Sequence, residues 1–105
     1  MKSISVQELK QKLDKQEDIQ VIDVREADEL EICTIGAEHI PMGELAQNPD
    51  KISADKEVII HCRSGGRSGQ VIQFLEEKHG FKNLYNLEGG ILAWIREIDP
   101  SLTAY

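Results

Sequence analysis

The run Glu57-Val58-Ile59-Ile60-His61, leading straight into Cys62-Arg63-Ser64-Gly65-Gly66-Arg67-Ser68, constrains this chain more than any other segment. Three consecutive β-branched apolar residues leave no polar face, which suits a strand covered on both sides. The strand pattern then stops at a glycine pair. From about Ser68 to His79 the apolar residues Val71, Ile72, Phe74 and Leu75 recur at helical spacing, with Gly80 where a left-handed helix-ending residue is expected.

The same succession recurs along the chain. Ser3-Ile4 reads as a short strand, and Ser5, with Glu8 three residues on, reads as the N-cap of a helix to about Lys15 that aligns Val6, Leu9 and Leu13. Gln20 to Val24 is a second strand of the doubly covered kind, and a polar helical segment follows from Glu26 to Glu31. Ala37 to Ile40 is a weaker strand stopped by Pro41, and Met42 to Ala46 makes one helical turn. Asn83 to Leu87 is a last strand, after which Gly89-Gly90 opens a helix bearing Ile91, Leu92, Trp94, Ile95 and Ile98. Alternation of this sort predicts an α/β fold, with parallel strands joined by right-handed helical crossovers and helices on both faces of the sheet. Ligands in open sheets of this kind collect beyond the carboxyl ends of the strands, so the place to inspect lies just after His61.

The 105 residues show no repeat, low-complexity tract or linker, and a single domain over residues 1–105 is expected. No run of about 18 apolar residues is present to span a bilayer, and Met1-Lys2-Ser3-Ile4 leads into a polar amphipathic stretch instead of the apolar centre of a secretory signal. The expected location is therefore the cytosol, with no membrane partner, and Cys33 and Cys62 are read there as free thiols. Twelve Lys+Arg against nineteen Asp+Glu give a formal charge of −7, which argues against nucleic acid as a partner. That charge is uneven. Residues 1–57 hold fourteen acids and seven bases, whereas residues 58–105 hold five of each. Val58 through Leu75 contains no acid and two arginines, Arg63 and Arg67, an island of positive potential where an anion can bind.

The loop after the strongest strand has a chemical logic. Glycines let successive backbone N–H groups curl inward as an anion-binding nest, and the positive end of the following helix points the same way. Such surroundings lower a cysteine pKa from about 8.5 to roughly 3.5–7.5, giving a standing thiolate near neutral pH. Cys62 is therefore the candidate nucleophile, against the plainer reading of a small buried hydrophobe at a strand end. Arg63 and Arg67 are candidate anion-binding groups, against solvated loop charge, and Gly65 and Gly66 also suit a plain turn.

These residues resemble a family. Cys62-Arg63-Ser64-Gly65-Gly66-Arg67 matches the Cys-Arg-x-Gly-x-Arg loop of rhodanese-like sulfurtransferases. Val21-Ile22-Asp23-Val24-Arg25-Glu26 is similar to that family's early Asp-Val-Arg strand end, and Leu87-Glu88-Gly89-Gly90-Ile91-Leu92-Ala93-Trp94 to its late Gly-Gly-x-x-x-Trp helix start. The resemblance implies a three-layer α/β/α fold with a five-stranded parallel sheet. It also implies a reaction in which the Cys62 thiolate takes the outer sulfur of a small anionic donor such as thiosulfate, holds it as a persulfide, and passes it to cyanide, a thiol or a protein sulfur carrier. In that reaction Arg63 and Arg67 orient the donor, and the backbone N–H groups from Arg63 through Arg67, with Ser64, Gly65 and Gly66 as the cradle, stabilise the sulfur's charge. No cofactor or metal is implied. The chain departs from the pattern at Glu31-Ile32-Cys33-Thr34-Ile35-Gly36-Ala37, where many relatives carry a histidine at the Thr34 position and one more residue before the Gly-Ala pair. That stretch rims the pocket in the family, so donor preference is the property the departure touches.

Two rival readings remain. Protein tyrosine phosphatases and arsenate reductases share the His-Cys start, but their arginine stands six residues after the cysteine; here Ser68 occupies that place and Arg67 precedes it, one residue short of a phosphate cradle. A non-catalytic docking module would have no physical need for an electropositive thiol pocket. Cys33 is read as core packing beside Ile32 and Ile35, with a resolving thiol as the alternative. His61 alternates with Cys62 and points elsewhere, while His39 and His79 lack ligand-like companions. Asp23 and Arg25 suit a fold-holding ion pair or cap as well as pocket groups, and Trp94 suits the core near Gly89-Gly90.

Overall fold

A computed structural model describes residues 1–105. Five parallel strands, β1 (Lys2–Ile4), β2 (Ile19–Asp23), β3 (Glu38–His39), β4 (Glu57–His61) and β5 (Leu84–Leu87), form one sheet in the order β1-β5-β4-β2-β3. The helices are α1 (Val6–Asp14), α2 (Ala27–Ile32), α3 (Met42–Gln47), α4 (Gly66–His79) and α5 (Gly90–Glu97), with a 3₁₀ turn at Pro49–Lys51. None is long and apolar enough to cross a membrane.

Alternation along β4 divides the core. Val58 and Ile60 face a cluster with Leu45 of α3 and Val71, Ile72 and Leu75 of α4, while Ile59 faces Leu9 of α1, Leu87 of β5 and Trp94 of α5. The sheet is thus the middle of three layers. Each of these fully buried strand residues contributes about 1.5–3 kcal/mol of gross hydrophobic stabilisation, which makes β4 the common anchor of both cores.

Local chemistry explains most element ends. Ser5 Oγ accepts the Glu8 N–H at 3.1 Å and Glu8 Oε1 accepts the Ser5 N–H at 3.3 Å, the expected reciprocal cap of α1. Leu13, expected on that helix's apolar face, is exposed instead, because only Val6 and Leu9 reach the core. Helix α4 begins at Gly66, two residues before the sequence-based start, since Gly65 itself acts as N-cap in the left-handed region at φ +114°. Its other end is Gly80 at φ +71°, as expected. The third strand shrinks to Glu38–His39; beyond it the Ile40 N–H bonds to Asp23 O at 3.0 Å and Met42 N–H to Val24 O at 3.0 Å as the chain turns into α3.

In the sheet register Asp23 of β2 lies opposite His61 of β4. Both strands therefore deliver the residues that follow them to the same edge.

Candidate active site

Cys62 follows β4 directly and is 1% exposed, with its sulfur placed under the start of α4. Gly65 N–H donates to Sγ at 3.1 Å and Ser68 N–H at 3.4 Å, and the Ser68 hydroxyl lies 3.3 Å away. Burial pushes the thiol pKa up, but the Ser68 hydroxyl and amide, followed by the amides of Gly65 and Ser64, outweigh it and leave the thiol below its ordinary value. Ser68 Oγ also donates to Asn86 Oδ1 at 2.6 Å. Its single proton cannot serve both partners at once, so Asn86 Oδ1 and Sγ compete for it. The two amides are the permanent donors.

The loop is fixed from behind. Asn86 Nδ2 donates to Gly65 O at 3.1 Å, holding the left-handed turn that only glycine adopts without strain. The first turn of α5 clamps the other end, with Ile91 N–H on Cys62 O at 3.0 Å and Leu92 N–H on Arg63 O at 3.1 Å. A Cβ on Gly90 would clash with the Arg63 carbonyl and stand 2.7 Å from Cys62 O, so close approach explains why a glycine opens α5. His61 turns to the other side of the strand, where it is fully buried, with Nδ1 3.2 Å from Cys62 O and Nε2 3.5 Å from Asp23 Oδ2 but without a hydrogen bond.

Around the loop the charges are not all free. Arg67 closes a two-pronged pair with Glu29 of α2, Nη1 to Oε1 at 2.6 Å and Nη2 to Oε2 at 2.8 Å. The acid-free island read from the sequence is therefore half neutralised, because an acid 38 residues away reaches it. Arg63 is exposed, with its guanidinium 4.8 Å from the centre of the Tyr105 ring. The Tyr105 hydroxyl donates to Glu29 Oε2 at 2.5 Å and accepts from Arg25 Nη1 at 3.0 Å.

Of the residues singled out in the sequence, Cys62, Gly65 and the first turn of α4 meet at the sulfur, Ser64 in the loop and Gly66 at the first position of α4 are exposed, and Arg63 and Arg67 lie at its margin. The amides of Gly66 and Arg67 make no hydrogen bond to Sγ; those of Gly65 and Ser68 do. Asp23 and Arg25 are fully buried in a mutual ion pair, with Nη2 to Oδ2 at 2.8 Å. Cys33 packs with Ile91 and Ile95. Sequence reasoning missed Ser68, Asn86, Glu29 and Tyr105. A signal existed for Asn86, a lone amide among the apolar residues of β5, whereas nothing local announces Tyr105. No group of three His, Cys, Asp or Glu side chains converges to hold a metal ion.

A model of the rhodanese-like domain matches residues 5–97. The YtwF protein of Bacillus subtilis (strain 168), whose name assigns it provisionally as a sulfurtransferase, is 42% identical over 101 residues, covering 95% of this chain and 96% of that protein. A second protein of that organism, YrkF, named provisionally as a sulfur carrier, is 37% identical over 92 residues, covering 87% of this chain; the chain spans 49% of its length. The crystal structure of a rhodanese-like domain protein from Staphylococcus aureus superposes with a TM-score of 0.80 at 33% identity, covering 100% of this chain and 99% of that one.

Proposed function

The chain belongs to the rhodanese-like domain family, and from that membership we propose that it is a sulfurtransferase in which Cys62 carries sulfane sulfur as a persulfide. The observation that supports this most directly is the fixed pair of amides, Gly65 and Ser68, on one buried sulfur whose pKa they help to lower.

The exchange balances without cofactor or metal. The Cys62 thiolate attacks the outer sulfur of an anionic donor such as thiosulfate; the new S–S bond forms as the donor's own S–S bond breaks, and sulfite leaves with that electron pair. The persulfide anion keeps the single negative charge the thiolate had, so the same donors stabilise both states. Cyanide, a thiol or a protein sulfur carrier then takes the outer sulfur and returns the thiolate. Arg63 draws the anion in, Arg67 stands beside it, and the backbone from Ser64 through Gly66 cradles the sulfur in transit. The relative named as a sulfur carrier makes a protein acceptor a natural part of this reading.

Intact mass after thiosulfate tests it. The protein should gain one sulfur atom, lost again as thiocyanate on adding cyanide, while Cys62→Ser gains none and transfers sulfur at least about a thousandfold more slowly. A Cys62→Ser protein of undiminished activity overturns the reading.

A further inference from the structure

The carboxylate of Glu29 is saturated. Its Oε1 accepts from Arg67 Nη1 and, at 3.0 Å, from the Glu26 N–H at the start of α2; its Oε2 accepts from Arg67 Nη2 and from the Tyr105 hydroxyl. Four donors converge from α2, α4 and the segment after α5. The side chain is 14% exposed, with the Arg67 hydrogen bonds as the largest influence on it, and its pKa falls to about 2, so the negative charge persists at any working pH.

The consequence for the thiol loop is electrostatic. Arg67 enters the margin of the site with both terminal nitrogens already bound to a carboxylate, which removes its fork from competition for a donor's oxygens and cancels its charge. Asp23 and Arg25 cancel each other nearby. Arg63 is left as the one uncompensated cation, laid on the Tyr105 ring. Beside the Cys62 thiolate, one free cation leaves the site with no net charge where two would leave it positive; that lost attraction weighs more on a dianion than on a donor carrying one charge.

We propose that Glu29 is a specificity-determining residue that, by closing the fork of Arg67, favours singly charged organic sulfane donors, such as thiosulfonates and alkyl persulfides, over dianionic thiosulfate. The inference rests on Cys62 as the sulfur carrier and concerns which donors reach it. Glu29 acts on the donor through Arg67 and takes no part in bond making.

The test compares kcat/KM for thiosulfate with that for benzenethiosulfonate, each with cyanide as acceptor. Benzenethiosulfonate gives its outer sulfur to Cys62 and leaves as benzenesulfinate, so both donors load the same persulfide. Glu29→Gln and Glu29→Ala should each raise the thiosulfate-to-thiosulfonate ratio by about tenfold, mainly through a lower KM for thiosulfate, and Glu29→Asp should hold it within about twofold of the parent. A pair that only ties α2 to α4 would slow both donors alike and leave the ratio where it was. An unmoved ratio in the neutral variants, or an equal shift in Glu29→Asp, overturns the proposal. Should the neutral variants fail to fold, Arg67→Gln gives the converse arm: the uncompensated carboxylate lowers the ratio, and a rise overturns the proposal. The persulfide mass on the parent protein keeps the two ideas apart. Its absence with both donors defeats the Cys62 reading, whereas its presence with an unmoved ratio defeats only the role of Glu29.

Discussion

β2 and β4 end side by side, and each runs on into an arginine-bearing segment, yet the two ends are built on opposite plans. Beyond β2 every strong group is spent. Arg25 gives Nε and Nη2 to Asp23, Nη2 again to Cys33 O at 2.9 Å, and Nη1 to Tyr105, with both members of the ion pair fully buried. Beyond β4 two amides meet on a single sulfur, and Arg63 stays exposed. The two cysteines sharpen the contrast. Both are buried, but Cys33 sees only a guanidinium nitrogen at 3.9 Å and an apolar cluster, whereas the donors on Cys62 favour its ionised form. Burial alone therefore does not decide how readily a thiol ionises; what points at the sulfur does.

Breaking the closed end should cost the most stability. Arg25→Met leaves the Asp23 carboxylate buried without its partner, a loss of about 3–5 kcal/mol, which in a domain of this size lowers Tm by roughly 12 °C or more. A thermal melt that moves by only a few degrees would show that the end of β2 tolerates an unpaired charge and that the contrast with β4 is false. The open end should respond in rate more than in stability. Ser68→Ala removes the hydroxyl 3.3 Å from the sulfur while leaving both amides in place, so alkylation of Cys62 at neutral pH should slow by roughly threefold to tenfold, with about 1–3 kcal/mol lost from the fold for the unpaired Asn86 oxygen. Unchanged alkylation would leave the amides as the only donors that matter.

Which parts of this contrast were readable in advance follows from how far apart the partners are in the chain. The doubly covered strand at Val58–Ile60, the reciprocal cap of Ser5 with Glu8 and the turn at Gly80 all depend on residues a few positions apart, and all stand in the structure. The thiol loop belongs to the same class, since glycines and a helix start follow the cysteine directly. Arg67 does not. Its partner Glu29 is 38 residues away, and Tyr105, which reaches that same carboxylate, is 76 residues from it. Side-chain pairing over such distances is set by how α2, α4 and the segment after α5 pack, and no local pattern encodes it. Asn86 lies between these cases: a half-buried amide on a strand inside the sheet needs partners, so its place within β5 announces a polar contact without saying that Gly65 and Ser68 supply it.

The smallest effect is the pH dependence that divides the two ends. Beyond β4 the thiolate is the reactive form, so transfer should rise with pH through a midpoint below the ordinary thiol value of about 8.5. Beneath it the buried groups respond in the other direction, toward acid. Burial is the largest influence on His61 and lowers its pKa despite Asp23 Oδ2 at 3.5 Å, so the folded imidazole stays neutral where the unfolded one, titrating near about 6.5, takes up a proton. The unfolded state then binds more protons, and stability falls as the pH drops through that value, by no more than about 1.4 kcal/mol per pH unit for one group. Below about pH 4.5 the depressed carboxyls of Asp23 and Glu29 add to the same loss, that of Glu29 extending down to about 2. Denaturant melts between pH 5 and 7, read beside an NMR titration of the His61 ring, isolate the first step. A His61 that protonates in the folded protein with no loss of stability would mean that Asp23 has charge to spare for it, and the end of β2 would then be an open, titratable site like its neighbour.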